Sequence, residues 1–262
     1  MMNPHTPIVT DALPKASMLF DTSHANCQPF PLPGGMRGYA VAEPGLAFDL
    51  STQETIYATL VRVTSLSFGT DTTAYWAERR EQRYFARLAE FIALVDPDDT
   101  VIGWSGYSYF RDRDAGFIYC DSTGLAPGYK TRGVMREMAA ARLTQFAFKR
   151  YADPGRLYVT ARSESPIVYK LTRDIPGVKR LYPDPDGPTP QHVLACGRAL
   201  AEWLGQSHLL QPDTLILRGA YAALEALYGE LPSTGDAILD HLFRDQLGPL
   251  DAFLLVGEVE SD

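Results

Sequence analysis

The segment DSTGLAPGYKTRGVM, residues 121–135, decides the fold of this chain. A strand is predicted over Phe117–Ala126, and Pro127-Gly128 directly after it makes the chain turn. Apolar residues then recur at helical spacing from about residue 131 to residue 151. The sequence therefore predicts a strand, a short loop and a long helix in direct succession.

The loop of this junction has the composition of an anion-binding site. Backbone N–H groups at the start of a helix have no intrahelical acceptor, and the positive end of the helix dipole points the same way. Gly133 allows close approach of the backbone, and Lys130 and Arg132 supply charge that suits a phosphate. Many strand–turn–helix junctions of similar composition bind nothing, so the loop alone leaves both interpretations open.

Strand and helix patterns on either side of the junction predict an α+β domain. Upstream, apolar residues recur at helical spacing from about Thr55, and a second helix is expected over residues 74–87. Strands are expected at Glu90–Val95 and Thr100–Phe110, joined by a turn that contains Pro97, so that a meander of antiparallel strands precedes the junction. After the long helix, a buried strand at Leu157–Ala161 and a helix at Pro166–Arg173 follow.

The two ends of the chain differ in pattern from this centre. Residues 1–45 contain scattered proline and glycine with no regular period, which predicts an irregular N-terminal arm before a domain at 46–262. Residues 176–190 contain five prolines and are interpreted as a loop. Beyond them we expect a helical C-terminal elaboration, with helices near 191–204, 221–228 and 236–246, a strand at 214–217 and a closing strand at 251–259.

Composition excludes several classes of function. The 262 residues carry 24 Lys and Arg against 32 Asp and Glu, a net charge of −8, which disfavours general nucleic-acid binding. The three cysteines and five histidines show no spacing typical of a zinc site or a disulfide framework, so no metal is predicted. Because no apolar run has the length of a signal peptide or a membrane span, we expect a soluble cytoplasmic protein.

Residues 117–173 resemble the acyl-CoA-binding motif of the GNAT acyltransferase superfamily. Leu125-Ala126-Pro127-Gly128-Tyr129 is similar to the end of the family's strand, and Lys130–Met135 is similar to its pyrophosphate loop. Two positions depart from the usual loop: Lys130 replaces Arg or Gln, and Met135 replaces a small residue. Ser165 stands where the family usually has Asn. The resemblance implies a mixed, mostly antiparallel sheet flanked by helices.

The resemblance also implies an activity, an acyl-CoA-dependent N-acyltransferase and most simply an acetyltransferase. The strand before the loop and the strand after the long helix would part, and acetyl-CoA or another acyl-CoA would enter between them. Backbone groups near Leu125 and Ala126 would pair with the pantetheine arm, as would Ser165. Pyrophosphate would bind Lys130 and the following loop, which consists of Thr131, Arg132, Gly133, Val134 and Met135.

Direct attack of an amine on a thioester needs a base for the amine proton and an acid for the departing thiolate. The family comparison suggests Tyr169 as the acid, although an aromatic residue on a helix is as often a core residue. Asp121 is the candidate base, because a carboxylate within an apolar strand can acquire a raised pKa. It is equally consistent with a solvated strand residue.

Two other interpretations stay open. The departures at Met135, Ser165 and Tyr169 are consistent with a GNAT-like fold that has become a binding module. Alternatively, the donor is an acyl carrier protein in place of CoA. The expected acceptor is a small-molecule or peptide amine, and an exposed strand edge would allow a homodimer.

Overall fold

A computed structural model describes residues 13–19, 26–130, 132–152, 155–222 and 232–260. Within these ranges ten strands form one sheet, in the order β1-β2-β3-β4-β5-β7-β10-β8, with β6 paired to β4 and β9 paired to β10. The strands are β1 Cys27–Pro31, β2 Arg37–Ala42, β3 Glu90–Val95, β4 Val101–Asp112, β5 Ala115–Cys120, β6 Gly124–Leu125, β7 Arg156–Ser163, β8 Val178–Tyr182, β9 Ile216–Leu217 and β10 Ala252–Val259.

All strand pairs of this sheet are antiparallel except one, β5 with β7. A parallel pair requires a crossover connection, and the long helix predicted after residue 131 provides it. That helix runs as α5 Val134–Ala139, a π-helical segment Ala140–Ala147 and α6 Phe148–Arg150. The predicted mostly antiparallel sheet flanked by helices is confirmed.

The remaining helices flank the sheet. They are α1 Pro44–Ala47, α2 Leu50–Phe68, α3 Thr73–Glu81, α4 Tyr84–Arg87, α7 Pro166–Arg173, α8 Gln191–Trp203 and α9 Ala237–Gln246. Local signals set their ends. Asp49 caps α2 by accepting a 2.7 Å hydrogen bond from the Thr52 amide, and Gly69 ends it with a positive φ of 73°.

Alternation along the strands divides the core into two faces. Phe91, Ala93 and Trp104 lie in one cluster with residues of α2, α3 and α4, while Phe117 and Tyr158 lie in another cluster with residues of α8. We call this side of the sheet the α3/α8 face. On the other side, which we call the α5/α7 face, the long helix packs on β3, β4, β5 and β7, and α7 and α9 pack near β10.

The structure corrects four sequence-based expectations. The single helix expected over residues 74–87 is divided into α3 and α4 at Arg83, which has a positive φ, and the strand expected at Phe117–Ala126 ends at Cys120. Residues 27–42 of the supposedly irregular arm form β1 and β2. Pro29 and Pro31 do not prevent this, because β1 is an edge strand, where a proline need not cost a ladder hydrogen bond. The loop expected at 176–190 contains β8, which pairs with β10. The helix expected near 221–228 lies almost wholly outside the described residues.

Candidate active site

The parallel strands β5 and β7 part at one end. Their last paired residues are Cys120 and Ala161. Beyond that point the chain after β5 turns toward β4, where β6 pairs Leu125 with Gly103, while β7 continues beside β10 to Ser163. A gap therefore opens in the middle of the sheet, directly after the last pair.

A mostly apolar cavity of about 890 Å³, including its open mouth, enters this gap on the α5/α7 face. The long helix contributes one wall, with Met135, Met138 and Leu143. Helix α7 contributes the opposite wall through Val168, Leu171 and Thr172. The size and the apolar walls suit an extended, uncharged chain of atoms.

A second cavity of about 640 Å³ opens at the same gap and is more polar than the first. Residues of α3 line it, together with Leu204, Gln206 and Ala220, which follow α8 along the chain. Six residues line both cavities: Tyr75, Arg79, Tyr119, Asp121, Arg162 and Tyr221. The two cavities therefore meet at one polar cluster, which we call the junction cluster.

A buried ion pair forms one half of the junction cluster. Arg79 Nη1 lies 2.6 Å from Asp121 Oδ1, and the two side chains are only 14% and 7% exposed. The same Oδ1 accepts a 2.8 Å hydrogen bond from the Ser122 amide. The Arg79 guanidinium also lies over the rings of Tyr75 and Tyr84, at 4.6 and 5.3 Å from their centroids. Arg79, on a helix remote in sequence, therefore fixes the carboxylate at the gap.

Arg162 forms the other half. Its guanidinium lies 4.8 Å from the Tyr221 ring centroid, and its Nη1 donates a 2.7 Å hydrogen bond to Gln206 Oε1. Its Nε is buried and has no hydrogen-bond partner among the described residues. No carboxylate of those residues forms a salt bridge with Arg162 either. A half-buried guanidinium, whose Nε is fully buried, thus has only neutral partners among the described residues.

Three phenols complete the cluster. Burial raises the pKa of Tyr221 to about 12 and also raises the pKa values of Tyr75 and Tyr119. All three are therefore protonated at neutral pH and able to donate. Tyr221 Oη donates to the Arg162 carbonyl at 3.2 Å.

The residues predicted to bind the pantetheine arm are engaged elsewhere. The Leu125 amide donates to Ser67 Oγ at 3.2 Å, and the Ala126 amide donates to the Ile102 carbonyl at 2.7 Å. Both residues are buried, and neither lines the cavity, because β6 pairs with β4 and turns away from the gap. Residues 121–123 line the gap in their place.

The predicted pyrophosphate loop lies at the start of the long helix, in several different environments. Lys130 Nζ donates to the Ser67 carbonyl at 2.6 Å, and burial lowers the pKa of its ammonium group. Arg132 and Gly133 are exposed, and Gly133 has a φ of 73° with open space around it. Val134 is buried in the core, whereas Met135 lines the apolar cavity. Thr131 lies outside the described residues.

The structure also places two α7 residues differently from the sequence-based assignment. Tyr169 packs against Phe243 at 6.0 Å between ring centroids, and its hydroxyl lies 3.5 Å from the Leu181 carbonyl. Tyr169 is not among the residues that line the cavity, so the structure does not bring the hydroxyl predicted as the acid to the gap. Ser165 is buried and bonded to Ser163, and it is Ser163 that lines the cavity.

Sequence reasoning placed Asp121 near the expected gap and Met135 in the pyrophosphate loop, and both line the apolar cavity. It missed Arg79, Arg162 and the three phenols. It also missed Glu164, a buried carboxyl next to Ser163 whose pKa burial raises to about 7. The one signal available for Arg162 and Glu164 was their place at the end of an apolar strand, where charged residues are seldom buried without a partner.

Neither a membrane helix nor a metal cluster is found in the described part of the chain. None of its helices combines the length and the apolar composition needed to cross a bilayer. No group of three or more histidine, cysteine, aspartate or glutamate side chains in these ranges is arranged to hold a metal ion.

No protein-family model and no curated protein matches this sequence. Solved structures to which this chain is similar include the ribosomal-protein-S5-alanine acetyltransferase from Vibrio fischeri, at 17% identity and a TM-score of 0.39, with 59% of this chain and 85% of that chain covered. A GNAT family N-acetyltransferase from Escherichia coli in complex with CoA is similar at 18% identity and a TM-score of 0.33, over 58% of this chain and 70% of that one.

A GNAT superfamily phosphinothricin acetyltransferase from Sinorhizobium meliloti in complex with AcCoA is similar at 17% identity and a TM-score of 0.34, over 59% of this chain and 81% of that one. These structures are what the chain is similar to, at identities of 17–18% and TM-scores of 0.33–0.39. At these scores the likeness carries no argument, so any conclusion about activity depends on the residues of this chain.

Proposed function

We propose that this protein is an acyl-CoA-dependent N-acyltransferase, most simply an acetyltransferase, that acts on an amine. The observation that carries the proposal is the gap between β5 and β7, where the apolar and the polar cavity meet at one buried cluster of charged and phenolic groups. A thioester brought in through the apolar cavity would present its carbonyl carbon to an amine held in the polar one. Two reactants held side by side in this way would react directly, without a covalent enzyme intermediate.

In the proposed reaction the amine nitrogen forms a bond to the thioester carbonyl carbon, and the carbon–sulfur bond breaks. Asp121 remains our candidate to bind the amine and take its proton. Both of its described hydrogen bonds use Oδ1, so Oδ2 is the oxygen that an amine would meet. A protonated phenol of the junction cluster, from Tyr75, Tyr119 or Tyr221, would return a proton to the thiolate.

The co-substrate would lie with its pantetheine arm in the apolar cavity and its pyrophosphate at Arg132 and Gly133. The positive dipole end of a helix that continues from Val134 to Arg150 favours an anion there. In this arrangement Lys130 first has to exchange the Ser67 carbonyl for a phosphate oxygen.

Calorimetric titration with acetyl-CoA, wild type against Gly133→Asp, tests the proposal. The substitution adds an anion where pyrophosphate should bind, so we expect acetyl-CoA affinity to fall at least tenfold. Gly235→Asp is the matched control, because Gly235 also has a positive φ, of 77°, and open space around it two residues before a helix. A folded wild type with no affinity for any acyl-CoA would contradict the proposal.

A binding module is the second candidate, because the Leu125 and Ala126 amides already have partners. Release of free thiol from acetyl-CoA in the presence of an amine would exclude it. If acetyl-CoA is inert and an acylated carrier protein donates instead, the donor is the carrier. Cytoplasmic location and a homodimer remain predictions; size-exclusion chromatography with light scattering tests the dimer.

A further inference from the structure

The polar cavity has a charge that the proposed reaction does not explain. Five charged residues line it, three arginines and two carboxylates, so the lining carries one net positive charge: Glu78, Arg79, Arg87, Asp121 and Arg162. Within the buried part, Arg79 and Asp121 neutralise each other at 2.6 Å. Glu78 and Arg87 are exposed, so the half-buried Arg162 accounts for the excess charge at the inner end of the cavity.

Arg162 is held in place by neutral groups. Gln206 fixes Nη1, the Tyr221 ring covers the guanidinium face, and Nε is buried without a partner among the described residues. Burying a cation with an unused donor costs free energy unless a ligand supplies the missing acceptor. A guanidinium fixed in this way suits a planar, bidentate anion such as a carboxylate.

The position of Arg162 relates such an anion to the reacting amine. Asp121 and Arg162 are the first residues beyond the last β5–β7 pair, Cys120 with Ala161, and both line the polar cavity. An acceptor bound there meets a carboxylate that suits its amine and a guanidinium that suits an anionic group close to that amine. When the amine is neutral and ready to attack, an acceptor with one carboxylate carries one negative charge, which balances the lining.

We infer that the acceptor is an amine that also bears a carboxylate, as a free amino acid does, and that Arg162 binds that carboxylate. The inference rests on the proposed function for the identity of the reacting group. A phosphate-bearing amine is the less favoured alternative, because a dianion would overcompensate a single positive charge.

Product binding tests the inference without requiring turnover. Calorimetry would use the N-acetyl derivatives of glycine, leucine, phenylalanine, glutamine and lysine, each against its N-acetyl amide. We expect at least one acid to bind at least about thirtyfold more tightly than its amide. The amide lacks the charge that would pair with Arg162, and loss of one partner of a charge pair in an interface weakens binding by about this factor or more. Arg162→Met should remove this preference, Arg162→Lys should restore part of it, and thermal melting checks that both variants fold.

Arg156→Met is the matched control, since Arg156 is an exposed arginine on the same strand, β7, and should leave the preference unchanged. Three results would each overturn the inference: equal affinity for acids and amides, no binding of any acid, or binding of phosphoethanolamine that is tighter than that of every N-acetyl acid. Thiol release from acetyl-CoA is measured separately. Amine acylation without dependence on a carboxylate overturns the inference alone, whereas acid binding without acyl-CoA binding overturns the proposed function alone.

Discussion

Breaking the Arg79–Asp121 ion pair should cost this protein a large part of its stability. Both side chains are buried and their charged atoms lie 2.6 Å apart. In Arg79→Met the Asp121 carboxylate keeps its Ser122 hydrogen bond but loses its counterion. Removing one partner of a buried pair typically costs about 3–5 kcal/mol, because the remaining charge is left uncompensated. Arg79→Met also loses the guanidinium contact with the Tyr75 ring, so we expect the upper part of this range.

A double-mutant cycle measures how much of that loss belongs to the pair. Urea unfolding of wild type, Arg79→Met, Asp121→Asn and the double variant gives the free energy of unfolding of each. Because the double variant leaves no buried charge alone, we expect it to lose less than the two single losses combined, by on the order of 1–3 kcal/mol. If the loss of the double variant equals the sum of the two single losses to within about 0.5 kcal/mol, the reasoning is refuted.

The same cycle separates the structural role of the pair from a role in the reaction. Asp121→Asn removes the proposed amine-binding carboxylate and should lower amine turnover much more than acetyl-CoA affinity. Glu54→Gln breaks the exposed pair between Glu54 and Arg80 and serves as the control, since its side chains are about half exposed. Such a surface pair is worth about 0–1 kcal/mol, so stability should change little.

Three further results are expected. Arg142→Met should destabilise the protein by about 3–5 kcal/mol in urea unfolding, since it leaves Glu90 buried without its bidentate partner; a loss below about 1 kcal/mol would argue against this. Burial raises the pKa of Glu164 to about 7, so between pH 4.5 and 7 the folded protein holds a proton on this carboxyl that the unfolded protein releases, and stability falls as pH rises through this range. Glu164→Gln should therefore be more stable than wild type at pH 8 but not at pH 4.5. A difference that does not depend on pH would contradict this. The Cys120 thiol lines the apolar cavity, and burial raises its pKa to about 12. At pH 8 an alkylating reagent should therefore modify Cys120 on the order of a thousandfold more slowly in native than in unfolded protein. Rapid labelling of the native protein would show that the thiol is not desolvated.

Elements that local chemistry specifies were predicted well. Strand β3 and helix α7 have the predicted bounds, Glu90–Val95 and Pro166–Arg173, since a turn with proline ends one and a proline at the first turn begins the other. The order of strand, loop and crossover helix around residues 121–135 was also correct, but the strand expected at Phe117–Ala126 ends at Cys120 and the helix begins at Val134. Edge strands β1 and β8 were missed, because their proline-rich surroundings carry no periodic signal and their pairing partners lie far away in the sequence.

The candidate site was only partly predictable. Asp121 lay at a recognisable strand end, but the sequence could not show that α3 would place Arg79 against it. Tyr169 was predicted in the site from its place on α7, but its ring packs toward α9 against Phe243 and does not line the cavity. Leu125 was predicted at the correct place in the chain, but pairing of β6 with β4 and the Ser67 hydroxyl determined what its amide contacts.

The sequence by itself determined the order of elements and the loop that opens the crossover helix, because apolar periodicity, proline turns and glycine act over a few neighbouring residues. Only the tertiary structure decided which charges are buried and which partners they have. Arg79, Asp121, Arg162 and Tyr221 come from α3, the end of β5, β7 and the segment before β10. They meet because two parallel strands part, and a gap in a sheet depends on which strands pair on either side of it, which no local pattern records.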